Sequence, residues 1–110
     1  MYSPGDVVLV DFPGAQGIKT RPGIVVSSAT YHVVRPDVVV AICTSNIAAA
    51  KTVTDYVLQD WASAGLRKPS AYRSYFEMFI VRDIQRLLGH LSDRDWADVQ
   101  ARLRLAIAVA

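Results

Sequence analysis

The sequence is poor in the residues that build disulfides and metal centres. Its 110 residues include one cysteine and two histidines, so an intrachain disulfide is excluded. Neither a CxxC nor an HExxH motif is present, and His32, Cys43 and His90 lie far apart without the spacing of a ligand set. We therefore expect no metal and no cofactor, and we interpret Cys43 as a buried strand residue.

Signals for phosphate loops, membranes and export are missing as well. No Gly-rich phosphate loop precedes a helical pattern, and no apolar run approaches the roughly 18 residues of a membrane span. The segment Met1–Asp6 lacks the basic region of a secretory signal. The chain is 52% hydrophobic, which is enough to bury a core at this length. These observations predict one cytoplasmic domain over residues 1–110, with no membrane contact.

The net charge of +2 is small, but the charges are unevenly placed along the chain. Residues 12–36 contain basic side chains and no acidic one, and basic side chains again outnumber acidic ones within residues 66–86. Acidic residues gather later, at Asp93, Asp95 and Asp98. This distribution predicts one positively charged face, which suits a nucleic acid or an acidic partner.

Runs rich in valine and isoleucine predict a mainly β chain. Turn-forming residues bound these runs, and the predicted strands are 6–12, 23–28, 37–44 and 52–58, with one or two further strands within 72–81. Residues 83–88 read as a short helical turn. From Ser92, a capping pattern followed by apolar residues at helical spacing predicts a C-terminal α-helix. Short strands followed by one helix indicate a small, curved antiparallel sheet or a partly open barrel, with the helix packed against it.

Polar side chains stand next to two of these strands. Arg21 precedes Pro22, which favours an extended backbone at Arg21, so we expect Arg21 at the junction between a loop at 14–20 and the second strand. Thr44 and Ser45 stand where the third strand ends. An arginine beside hydroxyl groups can hold a phosphodiester. The alternative is a solvated arginine and a turn stabilised by local hydrogen bonds.

Several segments of the chain resemble one known family. Gly5–Phe12, Arg21–Ser27 and the Thr44–Ser45 strand end are similar to the MazF/PemK family of toxin endoribonucleases, and Leu66–Ser70 and Leu87–Ser92 match its later segments in content and order. The likeness covers almost the whole chain. It implies an SH3-like small barrel with a C-terminal helix, as in the MazF, PemK and CcdB folds. It also implies a homodimer that cleaves single-stranded RNA without a metal ion, leaving a cyclic phosphate and a 5′-hydroxyl.

The resemblance assigns roles to residues at matching positions. Arg21 is expected to stabilise the transition-state phosphate or to act as general acid, and Thr44 to position the scissile phosphate. Arg73 matches a catalytic arginine that some relatives carry on the strand after Pro-Ser. Contacts to RNA are expected from Lys19, Thr20, Ser45, Asn46, Lys68 and Tyr75. The family's partner is a small antitoxin whose acidic C-terminal segment folds over the toxin, so an acidic antitoxin is expected here.

One position departs from the family pattern. Some relatives carry an aspartate two residues after the strand arginine, where this chain has Tyr75. Glu77 can replace that carboxylate only if the strand contains a bulge. Two alternatives to an RNA-cleaving toxin therefore stay open. One is a CcdB-like toxin that poisons gyrase without cutting RNA, and the other is an SH3-like binding module with no activity.

Overall fold

The computed structural model describes residues 1–108. Within this range the strands are β1 (Asp6–Gly14), β2 (Gly17–Val25), β3 (Asp37–Thr44), β4 (Tyr56–Val57), β5 (Ala71–Ile80) and β6 (Arg86–His90). The α-helices are α1 (Ala29–Val34) and α2 (Asp93–Ala106), and single 3₁₀ turns cover Ile47–Ala49 and Val81–Asp83.

The strands form one antiparallel sheet in the order β4, β5, β3, β2, β1, β6, which curls into a half-barrel. The C-terminal helix α2 packs against this sheet through Val99. The prediction of a mainly β fold with a C-terminal helix is confirmed. Across residues 1–108, none of the helices has the length and apolar character needed to cross a membrane.

The sheet has a buried core on each face. Successive strand residues point to opposite sides, so neighbouring residues of one strand belong to different cores. In β1, Val7 belongs to the core beneath α2, which also holds Tyr72 and Val99. Its neighbour Val8 belongs to a second core, together with Val40. All five side chains are fully buried, so the central strands are held from both sides.

The first two strands form a long hairpin, and the prediction of a loop at 14–20 is wrong. β1 and β2 stay paired out to Gly14 and Gly17, so the turn between them is only two residues long. Arg21 therefore lies within β2, in register with a residue of β1, and not at a loop junction. The extended backbone that Pro22 favours at Arg21 is equally that of a strand, and the hairpin ladder satisfies backbone groups that a loop would expose.

β2 pairs with β3 only near its C-terminal end. The ladder between them stops at the pair Gly23 and Ile42. Pro22, which precedes Gly23, has no N–H to donate to a ladder. Beyond this pair the two strands are not hydrogen-bonded to each other. We call the separated arms, residues 19–22 and 43–46, the strand fork.

β5 carries a bulge in its pairing with β3. Ala41 pairs with Phe76 and Cys43 pairs with Tyr72, so the single β3 residue between these pairs stands opposite residues 73–75 of β5. Bulges re-aim side chains and are common beside functional sites. This bulge lies next to the strand fork, and it sets the direction in which the middle of β5 presents its side chains.

Two further predictions of secondary structure are wrong. The strand expected at 52–58 shrinks to β4, because the Asp55 carboxylate accepts the backbone N–H groups of Thr52 and Ser74 and holds this segment in a turn. Of the helical turn expected at 83–88, only Asp83 lies in a 3₁₀ turn, and residues 86–88 belong to β6. Pairing with β1 decides this, since it covers a strand edge that would otherwise be open.

Other elements follow their predictions closely. β3 has the predicted bounds, and the one or two strands expected within 72–81 are a single strand, β5 (Ala71–Ile80). The predicted cap of the last helix is present, because Ser92 Oγ accepts the N–H of Asp95 at 3.3 Å. The short helix α1 lies where the sequence pattern predicted no element, and Ser28 caps it.

Candidate functional site

A cavity of about 630 Å³ lies at the strand fork, between the β1–β2 hairpin and β5. Six of the predicted site residues line it: Lys19, Arg21, Thr44, Asn46, Arg73 and Tyr75. Because Phe12 and Tyr75 add aromatic rings to its wall, we call it the aromatic cavity. The fold thus brings together side chains from β2, β3 and β5 that are distant in sequence.

Arg21 and Thr44 occupy matching positions on the two arms of the strand fork. The last β2–β3 pair joins Gly23 and Ile42, and Arg21 and Thr44 each lie two positions beyond it. Residues two positions apart on a strand point to the same side. Arg21, Thr44 and Ile42 accordingly line the same cavity, where the arms leave space for a ligand.

The hydroxyl of Thr44 is oriented by the backbone that follows it. Its Oγ1 accepts the N–H of Asn46 at 3.1 Å, and Thr44 is only 9% exposed. A hydroxyl that accepts one hydrogen bond can still donate its own proton. Thr44 can therefore donate a hydrogen bond to an anionic group in the aromatic cavity.

Three cations line the aromatic cavity. Lys19 and Arg21 share one side of β2, and Arg73 enters from the bulged part of β5. Among residues 1–108, no salt bridge involves Lys19 or Arg21. Such unbalanced positive charge attracts an anion, and guanidinium groups match the geometry of phosphate or carboxylate.

An aromatic wall stands beside these cations. The rings of Phe12 and Tyr75 meet edge to face, with their centroids 6.2 Å apart. The Tyr75 hydroxyl donates a long hydrogen bond, 3.5 Å, to the carbonyl oxygen of Pro13. Tyr75 remains 47% exposed, so its ring offers a surface on which a nucleobase can stack.

Sequence reasoning missed Asp55, which lies behind Arg73. The Nε atom of Arg73 is buried without a hydrogen-bond partner in the described part of the chain, and it lies 3.9 Å from Asp55 Oδ2. That distance is too long for a hydrogen bond, but it allows charge attraction. The other carboxylate oxygen accepts the Ser74 N–H at 3.2 Å. Asp55 thus restrains both the bulge and the guanidinium. An aspartate within a strand-like pattern was the signal that could have identified it.

No carboxylate or imidazole from the described part of the chain lines the aromatic cavity. The bulge required for Glu77 to replace the missing aspartate does exist, but Glu77 lines a different cavity, beside Ser27. His32 is buried against Ser27, and His90 pairs with Asp6 at 2.8 Å. A general base of either type is therefore absent from this cavity lining.

The other three predicted site residues lie across the strand fork. Thr20, Ser45 and Lys68 line a second cavity, of about 440 Å³, since alternate residues of each arm point to opposite sides. Arg21 borders both cavities. We call the second one the basic cavity for its cationic lining: Arg21, Arg67, Lys68 and Arg86.

The cysteine behaves as the sequence predicted. Cys43 is 1% exposed in β3, and burial raises the pKa of its thiol to about 12. The thiol is therefore protonated and unreactive near neutral pH. In residues 1–108, no group of three His, Cys, Asp or Glu side chains is placed to hold a metal ion.

The curled sheet and its terminal helix define a small SH3-like β-barrel protein. Over residues 3–107 the chain matches the family described as the PemK-like, MazF-like toxin of type II toxin-antitoxin systems, and it belongs to that family. A comparison with curated proteins found no match.

Solved structures with this fold include several MazF toxins. A mycobacterial endoribonuclease in complex with its cognate antitoxin superposes with a TM-score of 0.75 at 17% identity, covering 96% of this chain and 94% of that chain. The Mycobacterium tuberculosis toxin MazF-mt6 gives 0.74 at 19% identity, covering 92% and 94%. A MazE-MazF structure from Deinococcus radiodurans gives 0.72 at 18% identity, covering 99% and 97%. At these identities the likeness establishes the fold alone.

Proposed function

We propose that this toxin is a metal-independent endoribonuclease that cleaves single-stranded RNA and thereby inhibits translation and growth. The observation that carries the proposal is the convergence of Arg21, Thr44 and Arg73 on the aromatic cavity, beside an exposed aromatic ring. Cations and a hydroxyl donor suit a phosphodiester, and the ring of Tyr75 suits a neighbouring base. The protein would act in the cytoplasm, where its RNA substrate is found.

In the proposed reaction, the nucleophile belongs to the RNA. The ribose 2′-oxygen attacks the adjacent phosphorus and loses its proton, the P–O5′ bond breaks, and the 5′-oxygen leaves and takes up a proton. The products are a cyclic phosphate and a 5′-hydroxyl. Arg21 stabilises the negative charge that develops on the phosphoryl oxygens, Thr44 donates a hydrogen bond that positions the phosphate, and Arg73 adds a second cation.

Among the described residues that line the cavity, none offers a carboxylate or an imidazole to take the proton of the 2′-hydroxyl. In the proposed reaction that proton passes to water or hydroxide. The cleavage rate is therefore expected to rise with pH through the neutral range, without the bell shape that an acid and base pair produces. Lys19, Asn46 and Tyr75 are proposed to contact the RNA on either side of the reacting phosphate.

The proposed protein partner is an acidic antitoxin that covers the same cations. The endoribonuclease and MazF structures described above include complexes with an antitoxin. Lys19 and Arg21 form no salt bridge within residues 1–108, and their positive charge supports the same kind of partner here.

A homodimer is proposed as well. Apolar side chains on β5 and just after the end of α2 are roughly half exposed around a third cavity, as at Met78 and Ile107, and a second copy could cover them. Sedimentation velocity would measure the dimer, and Met78→Glu should shift it towards monomer. A wild type that sediments as a monomer at high concentration would contradict this part of the proposal.

The nuclease assignment is tested with purified protein and unstructured RNA in the presence of a chelator. We expect the wild type to cut and to leave cyclic phosphate ends, and Arg21→Gln and Thr44→Val to lose most of this activity. Thr30→Val, an exposed threonine on α1, is the matched control and should cut normally. Intact RNA with the wild type, or equal cutting by all variants, would refute the assignment.

A toxin that does not cut RNA is the second candidate. The observation in its favour is the absence of a carboxylate or imidazole from the lining of the aromatic cavity. A CcdB-like action on gyrase would then be tested by growth arrest with intact RNA, and by whether gyrase supercoiling is inhibited in vitro.

A further inference from the structure

The basic cavity draws its positive charge from three separate parts of the chain. Arg21 comes from β2, Arg86 from β6, and Arg67 and Lys68 from the loop that precedes β5. No acidic side chain is among the residues that line this cavity. Four cations line one cavity of about 440 Å³, and their mutual repulsion is unfavourable unless an anion binds there.

None of these four cations takes part in a salt bridge within the described residues, 1–108. The carboxylate of Asp11 accepts hydrogen bonds from Thr20 Oγ1, which lines the cavity, at 2.6 Å and from Gln85 Nε2 at 2.8 Å, and within residues 1–108 it forms no salt bridge with any of the four cations. The positive charge of the cavity is therefore available to an external anion.

Close backbone packing builds the cavity. Gly65 has a φ of +90°, and a Cβ there would lie 2.1 Å from the carbonyl oxygen of Leu88. A Cβ on Gly89 would lie 2.3 Å from the carbonyl oxygen of Ala64. Only glycines allow the loop to approach β6 so closely. This contact places the two cations of the loop beside the cation of β6, so their clustering follows from the packing of the backbone.

We propose that the basic cavity binds backbone phosphates of the RNA strand after it leaves the aromatic cavity. The inference rests on the proposed function, because it assigns a second site to the same substrate. Arg21 borders both cavities, and the adjacent residues Thr44 and Ser45 face one cavity each. A strand that crosses the fork over Arg21 therefore passes directly from one cavity to the other.

The two cavities suit different parts of the RNA. Among the described residues, no aromatic side chain on which a base could stack lines the basic cavity. The Ser45 hydroxyl adds a polar group beside the cations, whereas the hydroxyls of Thr20 and Ser70 already donate to Asp11 Oδ1 and to the carbonyl oxygen of Lys68. Cations and hydroxyls bind phosphate oxygens and carry no sequence information. The basic cavity thus contributes affinity for any RNA sequence, whereas Tyr75 and Asn46 of the aromatic cavity are placed to contact bases.

An acidic peptide is a different ligand with matching charge. RNA is favoured because the basic cavity continues the path that begins at the reacting phosphate, with Arg21 as the shared border. A peptide bound as a helix would need a long apolar groove, whereas four cations line this cavity.

The test measures binding of 2′-O-methylated RNA, which lacks the attacking hydroxyl and is not cut. A fluorescent mixed-sequence oligonucleotide of about 12 nucleotides is compared with a trinucleotide of the same chemistry. The triple variant Arg67→Gln, Lys68→Gln, Arg86→Gln is compared with a control triple at exposed cations outside both cavities: Lys51→Gln, Arg82→Gln, Arg104→Gln. Both triples remove the same charge, so only its position differs.

We expect the wild type and the control triple to bind the longer RNA more tightly than the trinucleotide. The cavity triple should lose this advantage, and its slope of log affinity against log salt should be smaller by about 2, because each phosphate contact to a single strand contributes about 0.7. The single variant Arg86→Gln, at an exposed side chain, should lower the slope by about 0.7 and guards against misfolding of the triple.

Equal affinities and equal slopes for the two triples would overturn the proposal. So would loss of binding to an acidic glutamate-rich peptide by the cavity triple while its RNA binding is unchanged, because that result would assign the cavity to a protein partner. Neither readout depends on cleavage. A wild type that binds RNA through the basic cavity but never cuts it would refute the endoribonuclease proposal alone.

Discussion

The strand fork and the start of α2 use charge in opposite ways. At the start of α2, Asp60 and Arg94 form a bidentate ion pair with two contacts of 2.7 Å. The fully buried Asp95 accepts two backbone N–H groups there, at 2.8 and 3.1 Å. We call Asp60, Arg94 and Asp95 the helix anchor. At the fork, by contrast, Lys19 and Arg21 have no salt-bridge partner within residues 1–108.

This contrast separates charges that hold the fold from charges that await a ligand. The paired charges of the helix anchor hold α2 against the loop between β4 and β5, and the same loop carries Arg67 and Lys68 to the basic cavity. Unpaired cations at the fork repel one another and add little to stability. We therefore expect substitutions at the anchor to lower stability, and substitutions at the fork to lower activity at constant stability.

Arg21→Gln should have the largest effect. Loss of the central cation of the fork should lower RNA cleavage on the order of 10²–10³-fold, because it removes charge stabilisation in the transition state. The melting temperature should stay the same. Single-turnover cleavage and thermal unfolding measure the two quantities, with Arg82→Gln, an exposed arginine outside both cavities, as control. A large fall in melting temperature with normal cleavage would reverse the assignment of the two regions.

Asp95→Ala should have the opposite profile. Its removal leaves backbone N–H groups of the anchored loop without an acceptor, so the free energy of unfolding should fall by about 3 kcal/mol. Urea denaturation measures this. Asp93→Ala, an exposed aspartate in the same helical turn, should lose about 0.5 kcal/mol through the helix dipole. If the two variants lost the same free energy of unfolding, the buried hydrogen bonds of Asp95 would add no stability beyond that of an exposed aspartate.

Asp55→Asn should lie between these two cases. The variant keeps an amide oxygen that can accept the Ser74 N–H, but it removes the negative charge near Arg73. A less restrained guanidinium should lower cleavage about tenfold with a small change in stability. Asp83→Asn, at an exposed position, serves as control. Unchanged cleavage in Asp55→Asn would remove Asp55 from the account of the site.

Asp60→Asn should have the smallest effect, and it should depend on pH. The Arg94 guanidinium, assisted by the Ser92 hydroxyl, lowers the pKa of the Asp60 carboxyl to about 2. Because the pKa in the unfolded chain is about 4, this carboxylate stabilises the fold above that pH. The contribution should fade as the pH falls from about 4 to 2, and the difference between wild type and variant should shrink over the same interval. A difference in unfolding free energy that stays constant across this interval would contradict the assigned pair.

The sequence allowed good prediction of elements whose signals are local. β3 is bounded by its run of branched residues, and α2 starts at the cap formed by Ser92, so both could be placed from neighbouring residues alone. The extent of β4 and the presence of β6 could not be predicted, because both depend on hydrogen bonds with distant partners. For β4 the deciding group is the Asp55 carboxylate, and for β6 it is the edge of β1.

The candidate site was predictable as a set of residues but not as an arrangement. Arg21 and Thr44 were selected for their chemistry, yet Arg21 was expected at the junction of a loop and a strand, because nothing in the local sequence shows that the β1–β2 ladder continues to the turn. The position of Arg73 in the lining of the aromatic cavity depends on a bulge that forms only when β5 pairs with β3. The site residues are divided between two cavities because side chains alternate along the arms of the strand fork. This division depends on the exact strand bounds, which the local sequence does not determine.

The most direct test of the central claim follows arginine side chains individually during RNA binding. Nitrogen-15 NMR of the arginine Nε–H groups, recorded while 2′-O-methylated RNA is added, reports on both regions in one sample. We predict shifts for Arg21 and Arg73 at the aromatic cavity and for Arg86 at the basic cavity, with Arg94 of the helix anchor unchanged. Shifts confined to Arg94, or none at Arg21, would contradict the account.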